Sequence, residues 1–483
     1  MNRLFVWQEM SMALQIGLRA KFLASFLFLC TQLSSSKIGD SYWIDPEGGA
    51  PVQEGGEFEY AIDKPQDLLG NVNFIVLKHK NIDPIKSWKI GVGKGSQIYS
   101  IKWMDSQLIG AQISNGIWID RVLQTVAVST SKNSNSQPYF IHQAGTYIDP
   151  SKGLTCPFWS PILGSKIDEG KKSFYTLVWP QQAHVYDDIN WTSKLILQQK
   201  IRDMGDGIIE ITYVYTNFGE DRIDFIDFPW SGFSKTLIPY YVKSVLNGGW
   251  TWVTPVDWID NLYSNTQGNG WFAMLKTQTT TSEGLGVVYG KSANQSSESE
   301  KVRWGPVPYE DLTVLEAMPG SILAPGKTYF MRYYLMFGQL QRDLHIQGNR
   351  LANYVDWGEL SFSLSDTDLL NPCQFGIPFG FTRCDFFLLS RPVLDPLPIL
   401  LLRNRHSGKL VLSTSPYALS LKPYQDRNTE YLAFLGWGIR YSDTSPGPLF
   451  VKLGDILTER SLYPDPETGR DVWVYAEKKL QSH

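Results

Sequence analysis

The sequence predicts a mainly β protein: a large antiparallel β-sandwich, one short helical connection and a smaller β-rich C-terminal region. Three observations predict it. Apolar residues alternate with polar ones in segment after segment, most clearly over residues 195–201 and 209–215, which is the period of a half-buried strand. Gly, Pro, Asn and Asp punctuate those segments where turns are needed, as in Asp203-Met204-Gly205-Asp206-Gly207. A helical period occurs once, in Leu340, Leu344, Leu351, Tyr354 and Val355, and Gly348 interrupts it.

In chain order, the basic Arg19 and Lys21 precede the apolar run Phe22 to Cys30, and the small polar residues Ser34, Ser35 and Ser36 follow. That is the order of a signal peptide, placed at residues 1–36, and it implies secretion. The run is too short to span a bilayer, so no membrane contact is expected once it is removed. The long lead before Arg19 leaves Met10 or Met12 as alternative starts. Residues 37–70 are rich in Gly, Pro and acids and read as an extended leading segment. Strands are expected at 73–79 and 87–92, after the Gly-rich turn near Gly95, and in the run from Ile117 to Thr130. Gly91-Val92-Gly93-Lys94-Gly95-Ser96 lacks the spacing of a phosphate loop and reads as a hairpin turn.

The strand pattern continues through the 195–215 meander, through 271–276 and 285–289, and through a strand after Gly326 apolar enough for burial on both faces. These segments place the sandwich domain at 37–340, the helical connection at 341–358 and the C-terminal region at 359–483. No period of 20 to 50 residues repeats, which disfavours propellers and solenoids.

Forty-eight acids against 44 bases give a net charge of −4. So even a balance offers no footprint for nucleic acid. Without the signal, the cysteines are Cys156, Cys373 and Cys384. Cys373 and Cys384 are close enough in sequence for a disulfide in an oxidising compartment, which leaves Cys156 unpaired unless it has taken one of the two. Asn190 and Asn294 head glycosylation sequons. No HExxH, EF-hand or zinc-spaced cysteine pattern occurs, so neither metal nor cofactor is expected.

The chemistry-bearing residues cluster in loops. His184 precedes Tyr186, Asp187 and Asp188, so a carboxylate can orient its imidazole; His142 and Tyr147 share an aromatic, Pro-rich stretch. Removing a proton α to a uronate carboxylate needs a base, a proton donor and a cation on the carboxylate. His142, Tyr147, His184 and Arg303 supply those types. The alternative is that the histidines are loop residues bonded to backbone. Trp230, Trp250, Trp252 and Trp258 are flat platforms for pyranose rings, with Asp187, Asp257, Asp260 and Asn261 as partners for hydroxyls. Trp250 and Trp252 share a strand face, so they are both buried or both displayed.

The cadence GKGSQIYSIKW, IWIDRVLQ and IIEITYVYTN before a Pro-Trp turn resembles the galactose-mutarotase-like supersandwich over roughly residues 70–340. The resemblance implies a sugar-binding sandwich and, in the epimerases, a His acid with a Glu base. The His maps to His142 or His184; for the Glu, only Glu310 and Glu316 are available, without a matching motif. Two functions are therefore expected as alternatives: a secreted lyase or epimerase-like enzyme on an extracellular glycan, or a non-catalytic extracellular-matrix or glycan-binding protein.

Overall fold

The computed structural model describes residues 43–53, 57–63, 74–80, 83–104, 106–110, 123–146, 158–160, 162–182, 191–254, 262–264, 270–289, 301–306, 313–318, 323–371, 386–404, 406–408, 410–414, 429–440, 450–453, 463–464 and 472–475. It is mainly β, built from antiparallel sheets. No helix among these residues is long and apolar enough to cross a membrane.

The hairpin Leu195–Gly205 and Ile208–Asn217 forms where the sequence places it. Asp206 and Gly207 carry it round with φ of 54° and 75°, the primed-turn geometry that Asp-Gly favours. It lies in a ten-stranded sheet running from Ile162–Asp168 through this hairpin and Thr328–Gln339 to an outermost strand, Trp250–Val253. The other sandwich sheet has twelve strands and includes Leu123–Lys132, Ile223–Phe233, Thr313–Met318 and Lys301–Pro306 as successive neighbours, with Lys301–Pro306 next to Thr313–Met318. Between the sheets lies one core, to which Ile90, Ile101 and Trp103 contribute from one side and Leu197, Ile211, Tyr213 and Tyr333 from the other.

The meander strands differ from expectation. Alternation predicts one solvated face, yet Ile208–Asn217 is buried at every position and Leu195–Gly205 at every position but Arg202. Three elements cover the outer face. The eight-stranded C-terminal sheet packs Leu400, Phe434 and Trp437 against Tyr175, Leu177 and Ile196. A helical segment lays Leu340, Leu344 and Leu351 over Ile208 and Met336. Between them runs the leading segment 43–53, whose Ile44 packs on Val214 and Phe330.

That segment crosses charged ground. Gln198 holds Ile44 by both backbone groups, accepting from its N–H at 2.9 Å and donating to its carbonyl. Arg332 donates to the carbonyls of Pro46 at 2.7 Å and Glu47 at 3.3 Å, and the Ala50 N–H donates to the Tyr334 hydroxyl at 2.9 Å. Lys200 meets Asp45 at 2.6 Å and Glu210 at 3.4 Å. Buried charges persist only when paired and hydrogen-bonded, and the strap completes that pairing. Gly49, at φ 89°, passes so close that a Cβ would stand 3.0 Å from Glu210 Oε2.

The helical segment is shorter than expected. Residues 340–344 form a π turn, His345–Leu351 an α-helix, and Asp356–Leu360 is already a strand paired with Thr328–Arg332 of the ten-stranded sheet. Gly348 explains its own place: a Cβ there would lie 2.6 Å from the Trp271 ring, so only glycine lets the helix sit on that indole. The 94–96 turn leads into strand Ile98–Trp103, as a hairpin turn should.

Candidate functional site

At the edge strand Trp250–Val253, Trp250 and Trp252 pair with Ser244 and Val242 of Tyr240–Ser244. Both indoles lie on the outer face, half-buried against the cluster that holds Trp271 and Leu344. Their rings meet edge to face, centroids 5.6 Å apart at 87°, the arrangement that the ring quadrupoles favour. The alternative between buried and displayed is thus resolved as both at once: the ring bodies pack, and part of each indole stays open to solvent.

The hairpin tip leading into these residues is clamped from the helix. Asn247 and Gly248 have φ of 71° and 83°. Nε2 of His345 and the Asn349 amide both donate to the Gly248 carbonyl, the latter at 2.7 Å. Asn349 accepts in turn from the Trp271 indole at 3.0 Å. A buried tryptophan, a helix and the tip form one hydrogen-bonded chain, which holds the Trp pair in place without ligand. His345 and Asn349 were not among the sequence candidates. Their only signal was spacing, four residues apart on the predicted helix and so on one face of it.

Of the catalytic candidates, His142 ends strand Pro138–His142 and is half-buried. Its strand pairs with Gln181–Gln182 in the register Gln181↔His142 and Gln182↔Ile141. His184, Asp187 and Asn190 lie outside the described residues, as do Tyr147, Asn294, Cys156, Cys373 and Cys384, and also Trp258, Asp257, Asp260, Asn261 and Glu310.

Arg303 lies on strand Lys301–Pro306. The register runs His142↔Val126, Val126↔Asp227, Trp230↔Glu316 and Glu316↔Arg303. Arg303 therefore stands four strands from His142, roughly 19 Å across the sheet at about 4.8 Å per step, and is offset further along the strands because the path enters Ile223–Phe233 at Asp227 and leaves it at Trp230. Trp230 belongs to this sheet and not to the one carrying Trp250 and Trp252.

Burial and ion pairing account for the other ionisable groups near the sandwich faces. Burial alone would raise Asp45, but the charge and hydrogen bond of Lys200, with Lys171 and Arg202, hold it below the usual carboxylate range. Asp356 is pushed up, by burial first, although Arg332 opposes the shift. Arg332 and Glu210 are almost fully shielded from solvent, so they build structure and are closed to a ligand while the strap is in place.

No protein-family profile matches the chain, and no curated protein matches it. Solved structures do. A putative aldose 1-epimerase from Klebsiella pneumoniae is 10% identical over 61% of this chain and 86% of its own, with a TM-score of 0.35. A GalM/aldose epimerase homologue from C. elegans is 11% identical over 56% of this chain and 100% of its own, at 0.31. The GH36 α-galactosidase AgaA from Geobacillus stearothermophilus is 9% identical over 53% of this chain, at 0.31, and the match spans only 39% of the galactosidase. The resemblance is one of fold, in the same group to which the strand cadence pointed. At these scores it carries no inference about what this chain binds or does.

Proposed function

We propose that this is a secreted glycan-binding protein that holds saccharide units on the Trp250–Trp252 edge. The observation that carries the reading is the half-open, edge-to-face indole pair on an outermost strand, fixed by the clamp of His345 and Asn349 on Gly248. Partly exposed, rigid aromatic faces beside polar groups suit the apolar face of a pyranose, and they lose little conformational freedom on binding. The test is retention on immobilised extracellular glycans. Trp252→Ala is expected to weaken binding about tenfold, as the loss of one stacking platform does, with the thermal midpoint measured in parallel. Unchanged retention in both Trp250→Ala and Trp252→Ala sinks the reading.

An acid–base lyase or epimerase activity is the second reading, favoured by the half-buried His142 at the end of a strand paired with Gln181–Gln182. It predicts unsaturated or epimerised product from a uronate or neutral glycan, and loss of that product in His142→Ala and His184→Ala. The four-strand separation of Arg303 from His142 weighs against both acting on one sugar ring.

A further inference from the structure

A groove of about 610 Å³ lies between the turns of the sandwich and the C-terminal sheet, with Thr328, Phe362 and Leu394 in its walls and Glu220, Lys327 and Arg440 at its sides. That volume suits a small ligand or one to two sugar units. Its cations are better fixed than its anions. Arg440 is only 28% exposed and donates to the Phe218 carbonyl, whereas its carboxylate partners are open to solvent: Glu220, 86% exposed, at 2.9 Å, and Asp395, 53% exposed, at 3.2 Å. The Asp395 contact is made to Nε of Arg440, as an ion pair without hydrogen-bond alignment. Lys327 and Glu359 form an equally exposed pair at 2.7 Å. Exposed pairs of this kind are weak and readily exchanged.

Beside the groove, the guanidinium of Arg391 lies over the Phe362 ring, 5.4 Å from its centroid, and among the described residues no carboxylate pairs with it. Lys194 reports on the same field. Its backbone neighbour across the turn is Gly219, whose Cβ would stand 2.6 Å from Lys194 Cβ. Burial, and next the charge of Arg440, lower the Lys194 ammonium to about 8, and Asp221 and Glu220 do not restore it. Positive charge is thus held here by partly buried groups, and the competing carboxylates of Glu220 and Asp395 stand open to solvent.

We propose that this groove is a second saccharide site, selective for sugars carrying an anionic group, with Arg440 and Arg391 as its anion-binding residues. The choice of a sugar as carrier rests on the glycan-binding reading; the anion selectivity rests on the groove alone. A carboxylate takes the place of Glu220 at Nη1 of Arg440, a charge-assisted hydrogen bond from a guanidinium whose Nη2 is already anchored on the Phe218 carbonyl. A sulfate ester presents the same chemistry, so both sources are tested.

The experiment is calorimetric titration of the full chain with tri-galacturonate, a sulfated trisaccharide and neutral galactotriose. At least one anionic probe is expected to bind, and to do so tenfold or more tightly than the neutral one, with affinity falling as salt rises. Arg391→Gln, which removes a stacked surface cation, and Arg440→Lys, which keeps charge and loses the anchored guanidinium, are each expected to weaken that probe about tenfold; Glu220→Gln is expected to strengthen it. Equal affinity for neutral and anionic probes, or an unchanged affinity in both arginine variants, overturns the proposal. Loss of anionic binding in Trp252→Ala with none in Arg391→Gln assigns the anion to the Trp edge and overturns it too. Anionic binding that survives in Trp252→Ala, together with unchanged glycan retention there, supports the groove and removes the edge, so the two failures are distinguishable.

Discussion

Arg332 and Glu210 face each other from neighbouring strands, with 3.7 Å between Nε and Oε2 and both side chains almost wholly shielded. Each has further partners: Asp356 at 2.9 Å for Arg332, and Lys200 at 3.4 Å and the Tyr334 hydroxyl at 3.3 Å for Glu210. Removing one member of a buried pair leaves the other desolvated without compensation. Glu210→Gln is therefore expected to cost about 3 kcal/mol in urea unfolding, while Lys327→Ala, at the exposed pair with Glu359, costs less than about 1 kcal/mol. Similar losses for the two would show that the buried network contributes little.

The strap depends on glycine at position 49. Gly49→Ala adds a Cβ at φ 89°, 3.0 Å from Glu210 Oε2 and 3.2 Å from the Arg332 guanidinium. The expected cost is about 1–3 kcal/mol. Limited proteolysis is the sharper readout, because the strap is the element that lifts: cleavage within 43–53 should speed up more than cleavage elsewhere.

Clamping of the hairpin tip predicts an effect on affinity without loss of fold. His345→Ala removes one of two donors to the Gly248 carbonyl. A net hydrogen bond of about 1 kcal/mol corresponds to roughly fivefold weaker glycan retention, with the far-ultraviolet spectrum unchanged. Retention equal to that of the unaltered chain would remove the clamp from the binding argument.

Alkaline titration should show Lys194. Its folded ammonium titrates at about 8, against an ordinary 10.5 in the unfolded chain. Between those values the unfolded chain binds more protons, so stability rises with pH from about 8. Above the ordinary phenol value of 10.0 the slope reverses: burial holds Tyr215 and Tyr334 above that value, so the unfolded chain loses these protons first. Lys194→Met is expected to lose most of the rise between pH 8 and 10 and to be more stable at pH 7 by roughly 1–2 kcal/mol, allowing for solvent screening. An identical profile in the variant would mean that the ammonium is hydrated in the folded state.

Local pattern was enough for the strands themselves, because side chains alternate across a strand and turns need particular residues. The 195–217 hairpin with its Asp206-Gly207 turn and the doubly buried strand Thr328–Gln339 are both where the sequence places them. Period alone cannot say what covers a face. The polar positions of the meander looked solvated, and the fold buries Gln198, Lys200 and Glu210 beneath a segment about 150 residues away in the chain. Likewise, the aromatic run at 250–252 was legible as a pair on one face, but its half-open state depends on Trp271, His345 and Asn349, which only the packing of the helix brings together. Strand identity was thus written locally in this sequence. The pairing of buried charge and the exposure of the indoles were decided by long-range contacts, because desolvation depends on every atom nearby and not on neighbours in the chain.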